Sequence, residues 1–318
     1  MVLGKGIHSL LIALCLTSWT GLARLVRGQV ISLKNSEYIL AAKALGTSDF
    51  KIIRKHLFPN MLSVIIINTT LDEVGISSEY LLMDQENRTT LAFVHTLPDG
   101  DREFSFYRNP GADMMLREDE VNPELLKDTK IFHFGTLSMT HDEVRQATKK
   151  AIACAKEAGA FISFDPNLRE PLWKSLELAK EQMEYGFQQC DILKISDNEI
   201  QFVTGEEDYD KGILILQQKY HIPLILLTMG KDGSRAYYRD MRVEKRGFPV
   251  NAIETTGAGD TFCGCSLGYL LEHDLKNLTE EELEEMLTFA NAGAALITLK
   301  KGAIRSMPTK QEIQELVK

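Results

Sequence analysis

The segment ETTGAGDTFCG (residues 254–264) places small residues directly before an apolar run, Phe262–Leu271. The apolar run predicts a helix, and Gly257–Ala258–Gly259 leaves the backbone amides at its N-terminus open to an anion. Asp260 lies among these amides. Its carboxylate can accept a proton from a substrate hydroxyl while the amides neutralise a transferring phosphoryl group. The alternative is that Asp260 only caps the helix after a glycine turn, and this segment alone favours neither interpretation.

Strand-like and helix-like segments alternate on the N-terminal side of this motif. The predicted strands cover residues 89–96, 102–108, 130–135, 160–166, 191–196 and 223–230. The predicted helices cover residues 141–157, 174–189 and 209–219, with a short helix that ends at Gly205. This alternation predicts an α/β fold with a doubly wound, mostly parallel sheet. Ligands of such a sheet bind at the carboxyl ends of its strands.

Five further segments, in this order, resemble the ribokinase/fructokinase (PfkB) family of sugar kinases. They are SFDPNLR (163–169), KISDNEIQFVTG (194–205), LTMGKDGS (227–234), FANAGAAL (289–296) and KGAIRSMP (301–308). Singly, each has a structural explanation such as a turn. Together with the 254–264 motif they identify residues 71–318 as a PfkB-type domain, which implies a ribokinase-like fold.

The resemblance also implies a reaction. It is the ATP-dependent phosphorylation of a sugar hydroxyl, with Asp260 as base and the amides of residues 257–260 as the anion hole. Fructose is the implied sugar and fructose 6-phosphate the product, because RTTLAFVHT (88–96) and FSFYRNPGADMML (104–116) are most similar to bacterial fructokinases.

Individual residues are assigned by the same resemblance. Asp165, Asn167 and Arg169 are expected beside the sugar. Phe106 and Arg108 share one face of a lid strand, although packing of Phe106 in the sheet and solvation of Arg108 is an equal alternative.

The remaining assignments concern ATP and metal ions. The ATP-binding residues implied are Thr228, Gly230, Gly233, Asn291 and Gly302. Glu199 is expected to hold Mg²⁺ through water, with Ser196 where the family has asparagine. A monovalent cation, K⁺, is expected at Glu254, Thr256, Ala303 and Ser306, where Glu254 replaces the family's usual aspartate.

The family carries further segments before the position that matches Leu71. They include the first strands of the sheet, an early sugar-binding aspartate and a Gly-Gly…Asn motif, and none of these is found in residues 1–70. We therefore expect a kinase domain that lacks its first strands. Its activity is in question because phosphoryl transfer depends on near-attack geometry. The rival hypothesis is that the chain is a catalytically impaired fusion of two proteins, or the product of a misjoined reading frame, whose N-terminal part has another origin.

Residues 1–70 differ from the rest in charge. Eight Lys/Arg against Glu37 and Asp49 give this segment +6 within a total of −9, so the other residues carry −15. The acidic total argues against a nucleic-acid partner, because a protein that binds nucleic acid usually carries a basic surface.

The apolar segment IHSLLIALCLTSWTGLA (7–23) is at the lower length limit of a membrane span. Arg24 and Arg27 follow it, as positive charges on the cytoplasmic side of a span would. A signal peptide and a buried soluble helix are the alternatives.

The next segment, EYILAAKALGTSDFKIIRKHLFPN (37–60), predicts a helix over 37–45, a turn at Gly46 and a basic helix over 50–57. This pattern resembles the cytoplasmic loop of dipeptide/oligopeptide ABC importer permeases, with Ala41, Ala42, Gly46 and Pro59–Asn60 at the family spacing. The resemblance covers about residues 5–69. It implies a mainly helical permease-like fragment over residues 1–70, docking on an ABC ATPase through residues 7–60, and inner-membrane association through residues 7–26. The kinase part is expected in the cytoplasm, and a homodimer is a further hypothesis.

The cysteines are odd in number and have no zinc-site spacing. They are Cys15, Cys154, Cys190, Cys263 and Cys265. We expect reduced thiols buried as small hydrophobes.

Overall fold

The computed structural model describes residues 27, 30, 43, 47–54, 58–84, 86–96 and 102–318. These residues fall into two compact units. One comprises the described residues up to Leu91 with Tyr107–Ala112, and the other comprises Ala92–Phe106 and Asp113–Lys318. The apolar segment 7–23 lies outside the described residues, as does all of the predicted helix 37–45 except Lys43.

Within the described residues, the helices of the first unit whose bounds are given are α1 (Asp49–Ile52) and α2 (Phe58–Glu73). Pro59 lies in the first turn of α2, where its missing N–H removes no intrahelical hydrogen bond. Helix α2 runs without interruption through residues 70 and 71 and is followed by Gly75, whose φ of 73° is left-handed. No helix within the described part of the chain is long and apolar enough to cross a membrane.

The second unit is built around a six-stranded sheet. Its strands are β3 (Ile131–Gly135), β4 (Phe161–Asp165), β5 (Ile192–Ser196), β6 (Leu224–Thr228), β7 (Ser234–Tyr238) and β8 (Met241–Lys245). They follow one another across the sheet in chain order; β3 to β6 are parallel, and β7 and β8 are antiparallel. Two further strands, β1 (Leu91–Thr96) and β2 (Arg102–Tyr107), pair with each other in a separate sheet. The predicted mostly parallel sheet is confirmed.

Helices cover both faces of the six-stranded sheet. They are α3 (Asp142–Glu157), α4 (Leu176–Gln189), α5 (Asp197–Thr204), α6 (Tyr209–Tyr220), α7 (Ala258–Leu271), α8 (Glu280–Ile297) and α9 (Lys310–Val317). Successive strand residues enter opposite cores because side chains alternate along a strand. Leu193 packs in the core that contains Met183 of α4, whereas Ile192 packs in the core that contains Phe262 of α7. The sheet is therefore doubly wound, as predicted.

The four cysteines within the described residues are free thiols. Cys190 and Cys263 are buried, whereas Cys154 and Cys265 are half-buried. The expectation of buried thiols therefore holds fully for two of them.

Candidate active site

Predicted site residues meet at the carboxyl ends of the parallel strands. Asp165 ends β4, Ser196 ends β5 and Thr228 ends β6. The strand register pairs Gly135 with Asp165 and Ser196 with Thr228. These residues therefore lie along one edge of the sheet, where open α/β sheets bind their ligands.

The Gly257–Asp260 turn forms the N-terminus of α7. Gly257 is the N-cap residue with φ of 80°, and a Cβ at this position would stand 3.0 Å from Ile297 Cδ1. The left-handed backbone conformation therefore favours glycine here, and the space beside Ile297 is tight for any larger residue. Helix α7 begins at Ala258, four residues before the predicted apolar start. Asp260 consequently lies within the first turn, where the amides of a helix have no intrahelical acceptor.

Asp165 forms an internal ion pair. Its Oδ2 lies 3.0 Å from Nζ of Lys194, and both side chains are buried. Burial raises the pKa of Asp165 to about 6, against the lowering effect of Lys194. Asp165 Oδ1 also accepts a hydrogen bond from the amide of Asn167 at 3.1 Å, and Asn167 has φ of 43°. Arg169 follows, with Nη1 donating to Leu168 O at 3.2 Å. Binding of a sugar by Asp165, Asn167 and Arg169 stays a prediction.

Two site residues were not predicted from the sequence. Lys194 lies in the middle of β5, and its Nζ would be 3.3 Å from a Cβ placed on Gly259. His133 lies on β3 with Nδ1 2.9 Å from Ser163 Oγ. Burial lowers the pKa of His133; Asp260 opposes this effect and Lys194 adds to it, so both charges act on the imidazole. A lysine inside an apolar strand was the available signal, because a buried charge requires a partner.

Glu199 holds the strand ends together. Its Oε2 accepts hydrogen bonds from the backbone amide of Ser196 at 2.9 Å and from Ser196 Oγ at 2.8 Å. Its Oε1 accepts from the amide of Leu168 at 2.8 Å. No group of three acidic, histidine or cysteine side chains forms a metal site among the described residues. Both Glu199 oxygens have protein donors, which suits contact with a metal ion through water rather than directly.

Thr228 ends β6, Gly230 and Gly233 lie in the β6–β7 turn, Asn291 lies in α8, and Gly302 follows α8. Gly230 and Gly233 have φ of 55° and 107°, and a Cβ on Gly233 would collide with the carbonyl of Lys245. Asn291 is buried. Its Oδ1 accepts from Ser234 Oγ at 2.9 Å, and its Nδ2 donates to Lys245 O at 3.2 Å. Asn291 therefore joins α8 to the β7–β8 hairpin, and its contact with ATP stays a prediction.

The predicted monovalent-cation residues come from two segments that Glu254 joins. Glu254 Oε1 accepts from Thr256 Oγ1 at 2.7 Å, and Oε2 accepts from the amide of Gly302 at 3.2 Å. The amide of Ser306 donates to Ala303 O at 2.9 Å. Binding of a monovalent cation by these residues stays a prediction.

Phe106 and Arg108 are each half-buried. Phe106 lies in β2, and Arg108 follows that strand within the Tyr107–Ala112 segment of the first unit. Their contact with a sugar stays a prediction.

Two family models match this chain. That of the pfkB family carbohydrate kinases matches residues 66–310. That of the binding-protein-dependent transport system inner membrane component matches residues 1–84.

Curated relatives and solved structures agree with the first match. Probable fructokinase-2 of Arabidopsis thaliana is 43% identical over 261 residues, which cover 82% of this chain and 78% of the relative. Fructokinase-1 of Zea mays is 41% identical over 260 residues, which cover 82% of this chain and 79% of the relative. The structure of Xylella fastidiosa fructokinase with bound ATP has a TM-score of 0.72 and 29% identity, and covers 79% of this chain and 80% of its own. The structure of Vibrio cholerae O395 fructokinase in its fructose, ADP and calcium ion bound form has a TM-score of 0.73 and 28% identity. The match covers 80% of this chain and 81% of that structure's chain. The chain belongs to the pfkB family of carbohydrate kinases.

Proposed function

We propose that this carbohydrate kinase transfers the γ-phosphoryl group of ATP to fructose and forms fructose 6-phosphate. The observation that carries the proposal is the position of Asp260 in the first turn of α7, three residues after the left-handed Gly257. The fructokinases from Xylella fastidiosa and Vibrio cholerae, whose structures contain ATP or fructose with ADP, support this substrate pair.

The reaction follows from the chemistry of the turn. Asp260 accepts the proton of the sugar hydroxyl, and the hydroxyl oxygen bonds to the γ-phosphorus as the bond to the β-phosphate oxygen breaks. The amides of residues 257–260 stabilise the charge on the transferring group. Glu199 would hold Mg²⁺ through water, and the ion would supply further charge neutralisation.

The test is turnover by the purified 318-residue chain. ATP-dependent phosphorylation of fructose is followed as ADP release, with ribose and glucose as competing sugars and Asp260→Ala as the background. Activity no higher than that background would overturn the proposal and would favour the catalytically impaired alternative.

The cap at Ser196 provides a prediction about Mg²⁺. We expect Ser196→Ala to cost about 1 kcal/mol of unfolding free energy, because α5 loses its N-cap. We also expect a higher Mg²⁺ requirement, because Glu199 loses a donor that orients it. Ser175→Ala is the matched control, since Ser175 caps α4 in the same way. Equal Mg²⁺ requirements in the two variants would contradict the role of Glu199.

Replacement of Glu254 tests the monovalent-cation site. We propose that K⁺ binds between the segments containing Thr256 and Ser306, and that Glu254→Ala abolishes stimulation of activity by K⁺. The lost acceptor for Thr256 and Gly302 is expected to cost about 1–2 kcal/mol of unfolding free energy. Rates in K⁺ and choline buffers are compared with those of Glu157→Gln, an exposed control. Stimulation that persists in Glu254→Ala would place the ion elsewhere.

We further propose that residues 1–70 derive from an ABC transporter permease and that the kinase domain covers residues 71–318. The support is the match of residues 1–84 to the inner membrane component model and the basic charge of residues 1–70. In this proposal the kinase part is cytoplasmic, and residues 7–26 contact the inner membrane. Sequencing the genomic DNA across codons 60–80 tests the junction, and fractionation without detergent tests membrane contact. A chain found wholly in the soluble fraction would contradict insertion.

A further inference from the structure

Lys194 is a buried cation within an otherwise apolar strand. Its side chain is 7% exposed, and the flanking Leu193 and Ile195 are fully buried. Replacing a buried ion pair with apolar residues of similar volume is often neutral or stabilising. Stability alone therefore does not account for the Lys194–Asp165 pair. The surroundings of the Lys194 ammonium indicate a second role.

The ammonium is fixed from the β4 side. Nζ of Lys194 lies 3.0 Å from Oδ2 and 3.2 Å from Oδ1 of Asp165. Asp165 is itself held, because its Oδ1 accepts from the amide of Asn167. Burial opposes the charged form of Lys194, but Asp165 and Glu199 outweigh it and raise the pKa of Lys194. The group is therefore charged whenever the protein is folded near neutral pH.

On its other side the ammonium lies directly behind the turn that precedes Asp260. A Cβ on Gly259 would approach Nζ of Lys194 to 3.3 Å and its Cε to 3.8 Å. Asp260 and Lys194 both act electrostatically on the thiol of Cys263 and on His133. The ammonium thus lies next to the backbone of Gly259, the residue that precedes Asp260 in the proposed anion hole.

We infer that Lys194, oriented by Asp165, is a positioning residue for phosphoryl transfer. Its ammonium supports the Gly259 backbone and places positive charge behind the amides that receive the phosphoryl group. This inference rests on the proposed function. Because that charge matters most as the transition state forms, its loss lowers kcat more than it changes KM for fructose.

The decisive variant removes both charges. Lys194→Met with Asp165→Asn removes both members of the ion pair, Glu199 keeps its three hydrogen-bond donors, and asparagine keeps an oxygen for the amide of Asn167. We expect this double variant to fold and to lose about 10²-fold in kcat. The KM for fructose is measured in Lys194→Gln, which retains Asp165, and is expected to stay near that of the wild type. The matched control is Lys219→Met with Glu184→Gln, which neutralises an exposed ion pair of 2.9 Å and is expected to keep the wild-type kcat. Wild-type kcat in the Lys194/Asp165 double variant would overturn the inference.

Two further measurements keep the outcome decisive. Lys194→Arg retains the positive charge, and we expect it to recover at least about tenfold in kcat over Lys194→Gln; equal rates in the two folded variants would overturn the inference. Amide hydrogen exchange of the 254–264 segment is expected to be faster in the double variant than in the control. Hydrogen exchange does not depend on turnover. An inactive wild-type chain would contradict the proposed function, whereas unchanged exchange in the double variant would contradict the positioning role of Lys194.

Discussion

Replacing Asp260 with asparagine is expected to lower kcat for fructose phosphorylation about 10³-fold, because a general base contributes about 10²–10⁴-fold. Asparagine keeps the size of the side chain and a hydrogen-bond acceptor at the N-terminus of α7. It cannot take the proton of the sugar hydroxyl. The sequence leaves open whether Asp260 is the base or the cap, and the structure places the N-cap at Gly257 with no side-chain cap bond. The variant therefore separates proton transfer from a structural role of Asp260 in the first turn.

The measurement is steady-state turnover with saturating ATP and fructose, together with the melting temperature of each variant. Asp240→Asn is the matched control, because Asp240 is exposed in the turn between β7 and β8. A value of kcat for Asp260→Asn within about tenfold of the wild type would show that Asp260 is not the base and only complements the positive end of α7.

Truncation of Phe164 to alanine is expected to cost about 3–5 kcal/mol of unfolding free energy, the range for a buried phenylalanine. Phe164 is fully buried in β4. Its ring stacks on Phe134 at 4.7 Å between centroids and meets Phe187 edge-on at 5.7 Å. A side chain on Gly186 of α4 would collide with the same ring, so helix and ring fit closely and the cavity cannot readily collapse.

Urea unfolding followed by circular dichroism measures this loss. Leu214→Ala is the control, because Leu214 on α6 is 51% exposed and its truncation is expected to cost less than about 0.5 kcal/mol. A loss below about 2 kcal/mol for Phe164→Ala would show that the β4 core repacks around the missing ring.

The parallel strands could be predicted from the sequence because each is a short apolar run between polar turns. The prediction of a strand over 191–196 differs from the observed Ile192–Ser196 by one residue. The hairpin of β7 and β8 was not predicted. Its strands, SRAYY and MRVEK, carry charges among their apolar residues, and its turn uses Arg239 with φ of 55° in place of the expected glycine.

The start of α7 also could not be predicted correctly from the local sequence. Small residues before Phe262 indicated a turn because glycine disfavours helix. The helix nevertheless begins at Ala258, where the left-handed Gly257 packs against Ile297 of α8. That contact joins residues far apart in the chain, which local propensity does not encode.

The sequence by itself determined the alternating fold and the position of Asp260 among small residues at a helix N-terminus, since both follow from local order along the chain. Only the tertiary structure decided which partners the site residues have. Asp165 and Lys194 are 29 residues apart, and they meet because the β4–β5 register pairs Phe164 with Leu193, one position before each. Ser234 of β7 and Asn291 of α8 meet across 57 residues because α8 packs against the hairpin. Register and helix docking are set by the packing of both cores against the whole sheet, so the ion pair behind the anion hole has no local signature beyond a lysine in an apolar strand.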